Sequence, residues 1–139
     1  MLGGESFRVG RSRTGLGLFA TTPIVKGTGI VEYRGRRLPT QEAYDLELRT
    51  GNKYIFELNS RWSIDGSTRR NLGRYVNHAC RPNSEWDLVK GKLILRAGKA
   101  LIRGDEITCD YGVDYFDLFI APIGCRCATC AEQAQRQKI

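Results

Sequence analysis

The chain has 139 residues, a length typical of one domain. Hydrophobic residues make up 41% of it and charged residues 27%, which excludes a disordered or low-complexity protein. No apolar run approaches the roughly 20 residues that a membrane-spanning helix needs, and the charged N-terminus lacks the apolar stretch of a secretory signal. We therefore expect an intracellular protein without a membrane partner. The net charge of +7 suits nucleic-acid binding, but it equally suits a solvated surface that keeps a small protein soluble.

Short runs rich in β-branched and aromatic residues recur along the chain, each bounded by Gly, Asn, Asp or Pro. These runs predict strands over residues 29–33, 54–58, 62–65, 92–96 and 106–111. One helix is predicted from Thr40, which can cap it after Pro39, to Gly51, which ends it. A second helical turn is predicted over residues 71–76. The expected class is therefore mainly β with short helices.

The segment Gly15–Ala20 has the sequence Gly-Leu-Gly-Leu-Phe-Ala, which matches the spacing of a dinucleotide-binding loop. Such a loop follows a buried strand and opens a helix. Here a polar Ser-Arg-Thr precedes the segment, and Pro23 stops a helix within one turn. The pattern indicates instead a loop whose glycines let the backbone approach a partner closely. A tight turn before a strand is the alternative.

A second segment runs from Arg74 to Asn83 and contains the only histidine of the chain, His78, beside Asn77 and Cys80. Residues adjacent in sequence rarely face each other for proton transfer, so a nucleophilic His-Cys pair is not favoured. An Asn-His pair in a loop does offer amide and ring groups to a polar ligand. A packed structural loop is the alternative on these residues alone.

A third segment, from Gly104 to Gly112, predicts a strand that ends in Asp-Tyr-Gly and presents Tyr111 at its end. An aromatic residue at such a position is usually part of the core, which is the alternative to a functional role. From Gly104 to Cys125 the chain has five acidic residues and no basic one. This stretch either attracts a lysine- and arginine-rich peptide or forms a solvated acidic surface.

Cysteines are the last unusual feature of the sequence. Their number, five, is odd, so disulfides alone would leave one unpaired. Three of them lie within the six residues Cys-Arg-Cys-Ala-Thr-Cys at positions 125–130. In an intracellular chain this crowding indicates metal binding before disulfides.

Taken in this order, the three segments resemble the SET-domain family of protein-lysine methyltransferases. The shared patterns are G-x-G-L-F-A, R-[FY]-[IV]-N-H-x-C and D-E-[IL]-T-x-D-Y-G, at close to the family's spacing. The resemblance runs from about Phe7 to Cys130. It implies a knotted β fold of several small sheets with a C-terminal pseudoknot, in which the Asp-Tyr-Gly strand runs beside the Asn-His segment. It also implies a SET domain over residues 1–117 and a post-SET zinc-binding tail over residues 118–139.

Further details of the sequence indicate which members of the family the chain resembles most. Cys109 and the Asn-His-x-Cys-Arg-Pro-Asn segment look most like the branch that methylates histone H4. Arg70 precedes Asn71 where family members commonly carry a glycine, and we expect no cysteine-rich region before the domain. The pattern is therefore similar to a minimal domain of the bacterial or viral kind.

The resemblance implies an S-adenosylmethionine-dependent protein-lysine N-methyltransferase that acts on a basic protein, such as a histone or a histone-like protein. Tyr111 would be the catalytic residue that orients the amine and the methyl group. The lysine channel would be lined by Tyr33, Tyr54 and Tyr115, with Cys109 at its floor. The cofactor would be bound by Leu16, Gly17, Leu18, Arg74, Asn77, His78 and Phe116.

The resemblance also implies one structural zinc ion, and the rival interpretation of the cysteines is two disulfides. The expected ligands are Cys80, Cys125, Cys127 and Cys130, which would form a closed tetrahedral site.

An alternative function keeps the fold without the catalysis: a basic zinc-containing module that binds nucleic acid or the cofactor. In the favoured function, nucleic acid would be met only through a nucleoprotein substrate. We expect a monomer or homodimer. It would act in the cytoplasm if the protein is bacterial, and in the nucleus or at chromatin if it is eukaryotic or delivered into a host cell.

Overall fold

The computed structural model describes residues 6–13 and 15–110. In this part of the chain, short strands predominate, with one α-helix and one 3-10 turn. The strands are β1 (Phe7–Ser12), β2 (Gly15–Ala20), β3 (Gly29–Tyr33), β4 (Arg36–Pro39), β5 (Ile55–Glu57), β6 (Trp62–Asp65), β7 (Asn77–His78), β8 (Ser84–Val89), β9 (Lys92–Ala97) and β10 (Glu106–Cys109). The helix is α1 (Thr40–Thr50), and the 3-10 turn covers Leu72–Tyr75. The prediction of a mainly β fold with short helices is confirmed.

The first sheet has the strand order β1-β2-β10-β7. Strands β1 and β2 form an antiparallel hairpin, and β10 pairs antiparallel with β2. On its other edge β10 pairs parallel with β7, where Thr108 lies opposite Asn77 and Cys109 opposite His78. The strand of the third sequence segment therefore does run beside the Asn-His segment. All three segments meet in this sheet, because β10 lies between the other two.

Two further sheets complete the described fold. The second sheet has the order β3-β9-β8 and the third the order β4-β6-β5, both antiparallel throughout. The main core lies between the first and second sheets, and a smaller cluster joins the second and third sheets. The main core consists of Leu18, Ala20, Ile24, Ile30, Val31, Val76, Leu95, Ala97, Leu101, Ile107 and Cys109. The smaller cluster is formed by Tyr33, Ile64 and Leu93 with Phe56, Leu58 and Trp86 around them.

Helix α1 connects β4 to β5 and buries Ala43. Its predicted end is confirmed, because Gly51 adopts the left-handed conformation (φ 69°) and its N–H donates to the Glu47 carbonyl over 2.9 Å. The predicted cap at Thr40 is wrong, since Pro39 occupies the capping position and makes no side-chain cap. The Thr40 hydroxyl instead contacts the Ser63 hydroxyl at 2.9 Å and donates to the Asn59 carbonyl. These tertiary contacts use the Thr40 hydroxyl, which would cap the helix if the helix were isolated.

The segment Gly15–Ala20, predicted as a loop or turn, forms the strand β2. Six residue pairs with β1 and two with β10 hold it extended, so pairing outweighs the low strand propensity of its glycines. The expected close approach at this segment is nevertheless found, as described below. Within the described residues, no helix is both long enough and apolar enough to cross a membrane.

Candidate active site

The candidate site lies on the first sheet, where β2, β10 and β7 are neighbours. Gly17 on β2 and Asn77 on β7 come from segments 60 residues apart in sequence, and Glu106 on β10 lies between them. The side-chain amide nitrogen of Asn77 donates to the Leu16 carbonyl at 2.9 Å. A methyl group added to Gly17 would stand 3.0 Å from the same nitrogen and 2.5 Å from Glu106 Oε2. A side chain at this position would therefore displace the Glu106 carboxylate and crowd the Asn77 amide.

His78 follows Asn77 and turns its ring into the protein, leaving its side chain 6% exposed. Its Nδ1 lies 3.7 Å from Asp110 Oδ1, and its Nε2 lies 3.6 Å from the sulfur of Cys80. Burial lowers the pKa of His78 below its ordinary value, and the nearby Asp110 charge only partly offsets this. The ring is therefore neutral at neutral pH and serves as a hydrogen-bonding group rather than as a cation.

Tyr33 and Tyr54, two predicted channel residues, are directly linked. The Tyr33 hydroxyl donates to the Tyr54 carbonyl over 2.6 Å. The Tyr33 ring is buried and lies 5.4 Å from the rings of both Phe56 and Trp86. Tyr33 is thus held by an aromatic cluster, which restricts its rotation, and its hydroxyl is fixed against the backbone of Tyr54.

Arg74, predicted to bind the cofactor, covers Tyr54. The centre of its guanidinium group lies 4.1 Å from the centre of the Tyr54 ring, and its Nη1 donates to the Ser67 carbonyl. Its Nε is buried and has no hydrogen-bond partner among the residues described. An unpartnered donor on a cation is a group that an anionic ligand can satisfy. Nearby, Asn71 is fully buried and directly precedes the 3-10 turn that carries Arg74. Its side chain fixes this turn by accepting from the Arg34 backbone N–H and donating to the Gly66 carbonyl, both over 2.9 Å.

Cys109, predicted as the channel floor, is 1% exposed and belongs to the main core. Burial raises the pKa of its thiol to about 12, so the sulfur is an uncharged, small apolar group at neutral pH. Its backbone carbonyl accepts from the Ala79 N–H over 2.9 Å. Both a channel floor and a simple core position require such burial, and the role of Cys109 stays a prediction.

The remaining predicted residues fall into two groups. Leu18 is fully buried in the main core, whereas Leu16 is 49% exposed, so only the backbone of Leu18 is left to contact a cofactor. Tyr111, Tyr115, Phe116, Cys125, Cys127 and Cys130 lie outside the described residues. The domain boundary at residue 117 lies there too. In the described part of the chain, no cluster of three or more His, Cys, Asp or Glu side chains forms a metal site. Cys80, the one predicted zinc ligand within the described residues, is exposed.

The groups present fit an amino-acid-containing cofactor. No described residue donates to Asn77 Oδ1, so this oxygen is left for an ammonium group, and the unpartnered Arg74 Nε suits a carboxylate. Glu106 and Ser12 were not predicted as site residues, yet both contact the Asn77 amide. The only signal for Glu106 was its place in the D-E-I-T pattern, which gives no indication of its partner.

Comparisons with known proteins agree with this geometry. A family model described as the SET domain matches residues 15–112. The chain is 36% identical over 126 residues to histone-lysine N-methyltransferase ash1 of Drosophila melanogaster, an alignment covering 83% of this chain and 6% of the relative. It is 36% identical over 127 residues to the histone-lysine N-methyltransferase, H3 lysine-36 specific, of Schizosaccharomyces pombe, covering 81% and 15% respectively. With histone-lysine N-methyltransferase trr of Drosophila melanogaster the identity is 33% over 111 residues, covering 74% and 5%. The chain thus spans only a small part of these relatives.

Proposed function

Because the chain belongs to the SET-domain family, we propose that it is an S-adenosylmethionine-dependent protein-lysine N-methyltransferase. The observation that carries the proposal is the meeting of the three sequence segments on β2, β7 and β10, with Gly17 against the Asn77 amide. These strands lie within the matched residues. The relatives named above are histone-lysine N-methyltransferases, which supports lysine methylation as the chemistry.

S-adenosylmethionine, when bound, supplies a methyl group on a positively charged sulfonium. The chain's own part is to bind and orient it. The backbone of Leu16, Gly17 and Leu18 would contact the cofactor, with Asn77 Oδ1 and Arg74 toward its charged amino-acid portion and the buried His78 beside them. Phe116 would pack against its adenine. The exposure of Leu16 and the unpartnered Arg74 Nε support this arrangement.

The substrate amine must lose its proton before it can attack, although free lysine has a pKa near 10.4. A narrow aromatic channel removes water from the ammonium group and so lowers its pKa. Tyr33, Tyr54 and Tyr115 would form this channel, and the Tyr111 hydroxyl would align the amine with the methyl group. Alignment of reacting atoms supplies much of the rate, so no strong side-chain base is required. The bond between Tyr33 and Tyr54 supports a fixed channel wall.

The proposed substrate is a basic protein segment, such as that of a histone or a histone-like protein. The acidic residues between Gly104 and Cys125 would attract it. The similarity of the Asn-His segment to the H4-methylating branch favours histone H4, whereas one relative named above is specific for H3 lysine-36 by its name. A nucleoprotein substrate would bring nucleic acid to the arginines between Arg69 and Arg81. A zinc ion on Cys80, Cys125, Cys127 and Cys130 would fasten the tail to the cofactor segment.

The test is a methylation assay of the purified chain with labelled S-adenosylmethionine and core histones, followed by mapping of the labelled lysine. Tyr111→Phe removes one hydroxyl and is expected to abolish most turnover while cofactor affinity and melting temperature stay unchanged. Near-normal turnover of this variant would refute the role of Tyr111. Nucleic-acid binding that weakens with salt, without cofactor affinity, would instead favour the non-catalytic module.

A further inference from the structure

We propose that Glu106 is a positioning residue for cofactor binding, which acts by fixing the orientation of the Asn77 side-chain amide. This inference rests on the proposed function, because it assigns to Glu106 a task in the same site. It is carried by the contacts of Asn77 Nδ2. That nitrogen faces three oxygen atoms: Glu106 Oε2 at 2.8 Å, the Leu16 carbonyl at 2.9 Å and the Ser12 hydroxyl at 3.0 Å.

An amide nitrogen has two hydrogen atoms, so three surrounding oxygens leave it nothing to donate to a ligand. The amide oxygen then points to the other side, where no described residue donates to it. Asn77 is thereby presented to a ligand as an acceptor. Of the three oxygens, the Ser12 hydroxyl can donate as well as accept and would tolerate either orientation of the amide. The carbonyl of Leu16 and the carboxylate of Glu106 only accept, so a turned amide would set oxygen against oxygen.

Glu106 is the side chain that selects this orientation of the Asn77 amide. The Leu16 carbonyl belongs to the backbone of β2 and is present whatever the sequence. Glu106 sits on β10, where its backbone pairs with Phe19 of β2, while Thr108 two residues later pairs with Asn77. Side chains two residues apart on a strand point to the same face, which places the carboxylate beside Asn77. The contact therefore ties β2, β10 and β7 together at the cofactor segment.

Gly17 makes room for this contact. A methyl group there would stand 2.5 Å from Glu106 Oε2, which is closer than unbonded atoms tolerate, and it would push the carboxylate away from Asn77. The absence of a side chain at Gly17 thus serves the Glu106–Asn77 pair, in addition to any close approach by a ligand. Glu106 is half-buried, so this hydrogen bond competes less with water than one at the surface does.

The experiment measures the affinity of the full chain for S-adenosylhomocysteine by calorimetry, together with melting temperatures. Glu106→Asp keeps the charge but is one methylene too short to reach Asn77, and we expect binding about tenfold weaker with the melting temperature nearly unchanged. Glu106→Gln has a carbonyl oxygen that can still accept, and we expect it to bind within about threefold of the unmodified chain. Glu85→Asp is the matched control, since Glu85 is an exposed acid on β8, and should bind normally. If Glu106→Asp does not fold, Glu106→Leu takes its place with the same expected loss.

A positioning role is separated from a merely structural one by combining the changes with Asn77→Ala. Because Glu106 acts through Asn77, Glu106→Asp should weaken binding no further when Asn77 is already alanine. An equal loss in both backgrounds would overturn the inference, as would normal binding by Glu106→Asp alone. Failure of the unmodified chain to bind S-adenosylhomocysteine would instead overturn the proposed function, so the two failures are distinguishable.

Discussion

At the scale of single residues, the predicted role of Cys109 is to set how much space remains beside the reacting amine. We expect dimethyl-lysine as the favoured product, with trimethyl-lysine as the alternative, because a small thiol brings no phenol to hold a water molecule where a further methyl group would go. Cys109→Tyr should shift the product toward monomethyl-lysine at a preserved first step. Cys109→Phe is the matched control, since it adds the same ring without the hydroxyl, and should keep the dimethyl product. Mass spectrometry of a methylated peptide under excess cofactor measures both.

Two experimental results would contradict the prediction for Cys109. If the unmodified chain stops at monomethyl-lysine with cofactor in excess, the proposed space at the channel floor does not exist. If Cys109→Tyr and Cys109→Phe lower turnover equally without changing the product, the residue only packs in the main core, as its burial also allows.

Asp65 carries a pH dependence of stability. Burial alone would raise its pKa, but hydrogen bonds from the Asn52 side chain and from Ser67, with the charge of Arg36, outweigh burial and lower it below its ordinary 3.8. A carboxyl group with a lowered folded-state pKa stabilises the fold above its unfolded pKa, and this contribution is lost as the pH falls through the folded value. We expect Asp65→Asn to lower the free energy of unfolding at pH 7 by at most about 1 kcal/mol, since the group is only half-buried and water screens its charge.

Urea unfolding at pH 7 and at pH 3 measures this effect. The difference between Asp65→Asn and the unmodified chain should shrink at pH 3, because this pH lies below the ordinary pKa of 3.8 and the contribution is lost as the pH falls toward the lowered folded-state pKa. Asp45→Asn is the control, because Asp45 is an exposed acid on α1. A difference that is the same at both pH values would contradict the cause given for the lowered pKa.

The residues also differ in how far the sequence could reveal their partners. The pairing of the glycine segment with Asn77 was predictable in kind, because both belong to recognisable patterns. The partnership of Asn77 with Glu106 was not, since it depends on which strand lies between β2 and β7. The Thr40 hydroxyl failed as a cap for a related reason: its best partners, Ser63 and Asn59, come from β6 and the turn before it.

At the scale of elements, Gly35 lies in the short connection between β3 of the second sheet and β4 of the third sheet. A methyl group added there would overlap the backbone carbonyl of Asp65, which cannot move without disturbing β6. We expect Gly35→Ala to lower the free energy of unfolding by about 1–3 kcal/mol, the usual cost of forcing atoms into filled space. Gly10→Ala is the control, because there the nearest atom is the flexible end of the Arg8 side chain. Chemical unfolding of both variants tests this, and equal stability of the two would contradict it.

Strands were predictable where β-branched residues make the run apolar. The predictions at β3, β5, β6, β9 and β10 are confirmed, whereas the glycine-rich β2 and the two-residue β7 were predicted as loops, and β1, β4 and β8 were missed outright. The missed strands carry arginines, acids or a proline, and their extended form follows from pairing: β8 is paired with β9 along six residues. In the turn between β8 and β9, Lys90 (φ 51°) and Gly91 (φ 80°) are both left-handed. This type of turn connects two antiparallel strands through a two-residue loop. Lys-Gly is a weak signal for it.

At the scale of the whole molecule, the proposed zinc ion would join two parts of the sequence that lie 45 residues apart, Cys80 and Cys125. We expect about one zinc ion per chain in elemental analysis, because four thiolates form a closed tetrahedral site. Cys127→Ser should lose the metal and lower the melting temperature, since binding energy of a structural zinc ion is also folding energy. Cys109→Ser is the control, because Cys109 is not among the ligands. A folded, active chain without metal would refute this prediction and favour disulfides.

The position of β10 in the first sheet has a consequence for the order of folding. The hairpins β1–β2 and β8–β9 join residues close in sequence and can form early, since short loops close at little entropic cost. Strand β10 must instead enter between β2 and β7, where Ile107 pairs with Leu18 and Thr108 with Asn77. The first sheet therefore closes only after residue 109 has left the ribosome, and the cofactor segment gains its geometry in that last step. We therefore expect nascent chains shorter than this to carry preformed hairpins but no assembled site, so that a ligand of the site would act late in folding.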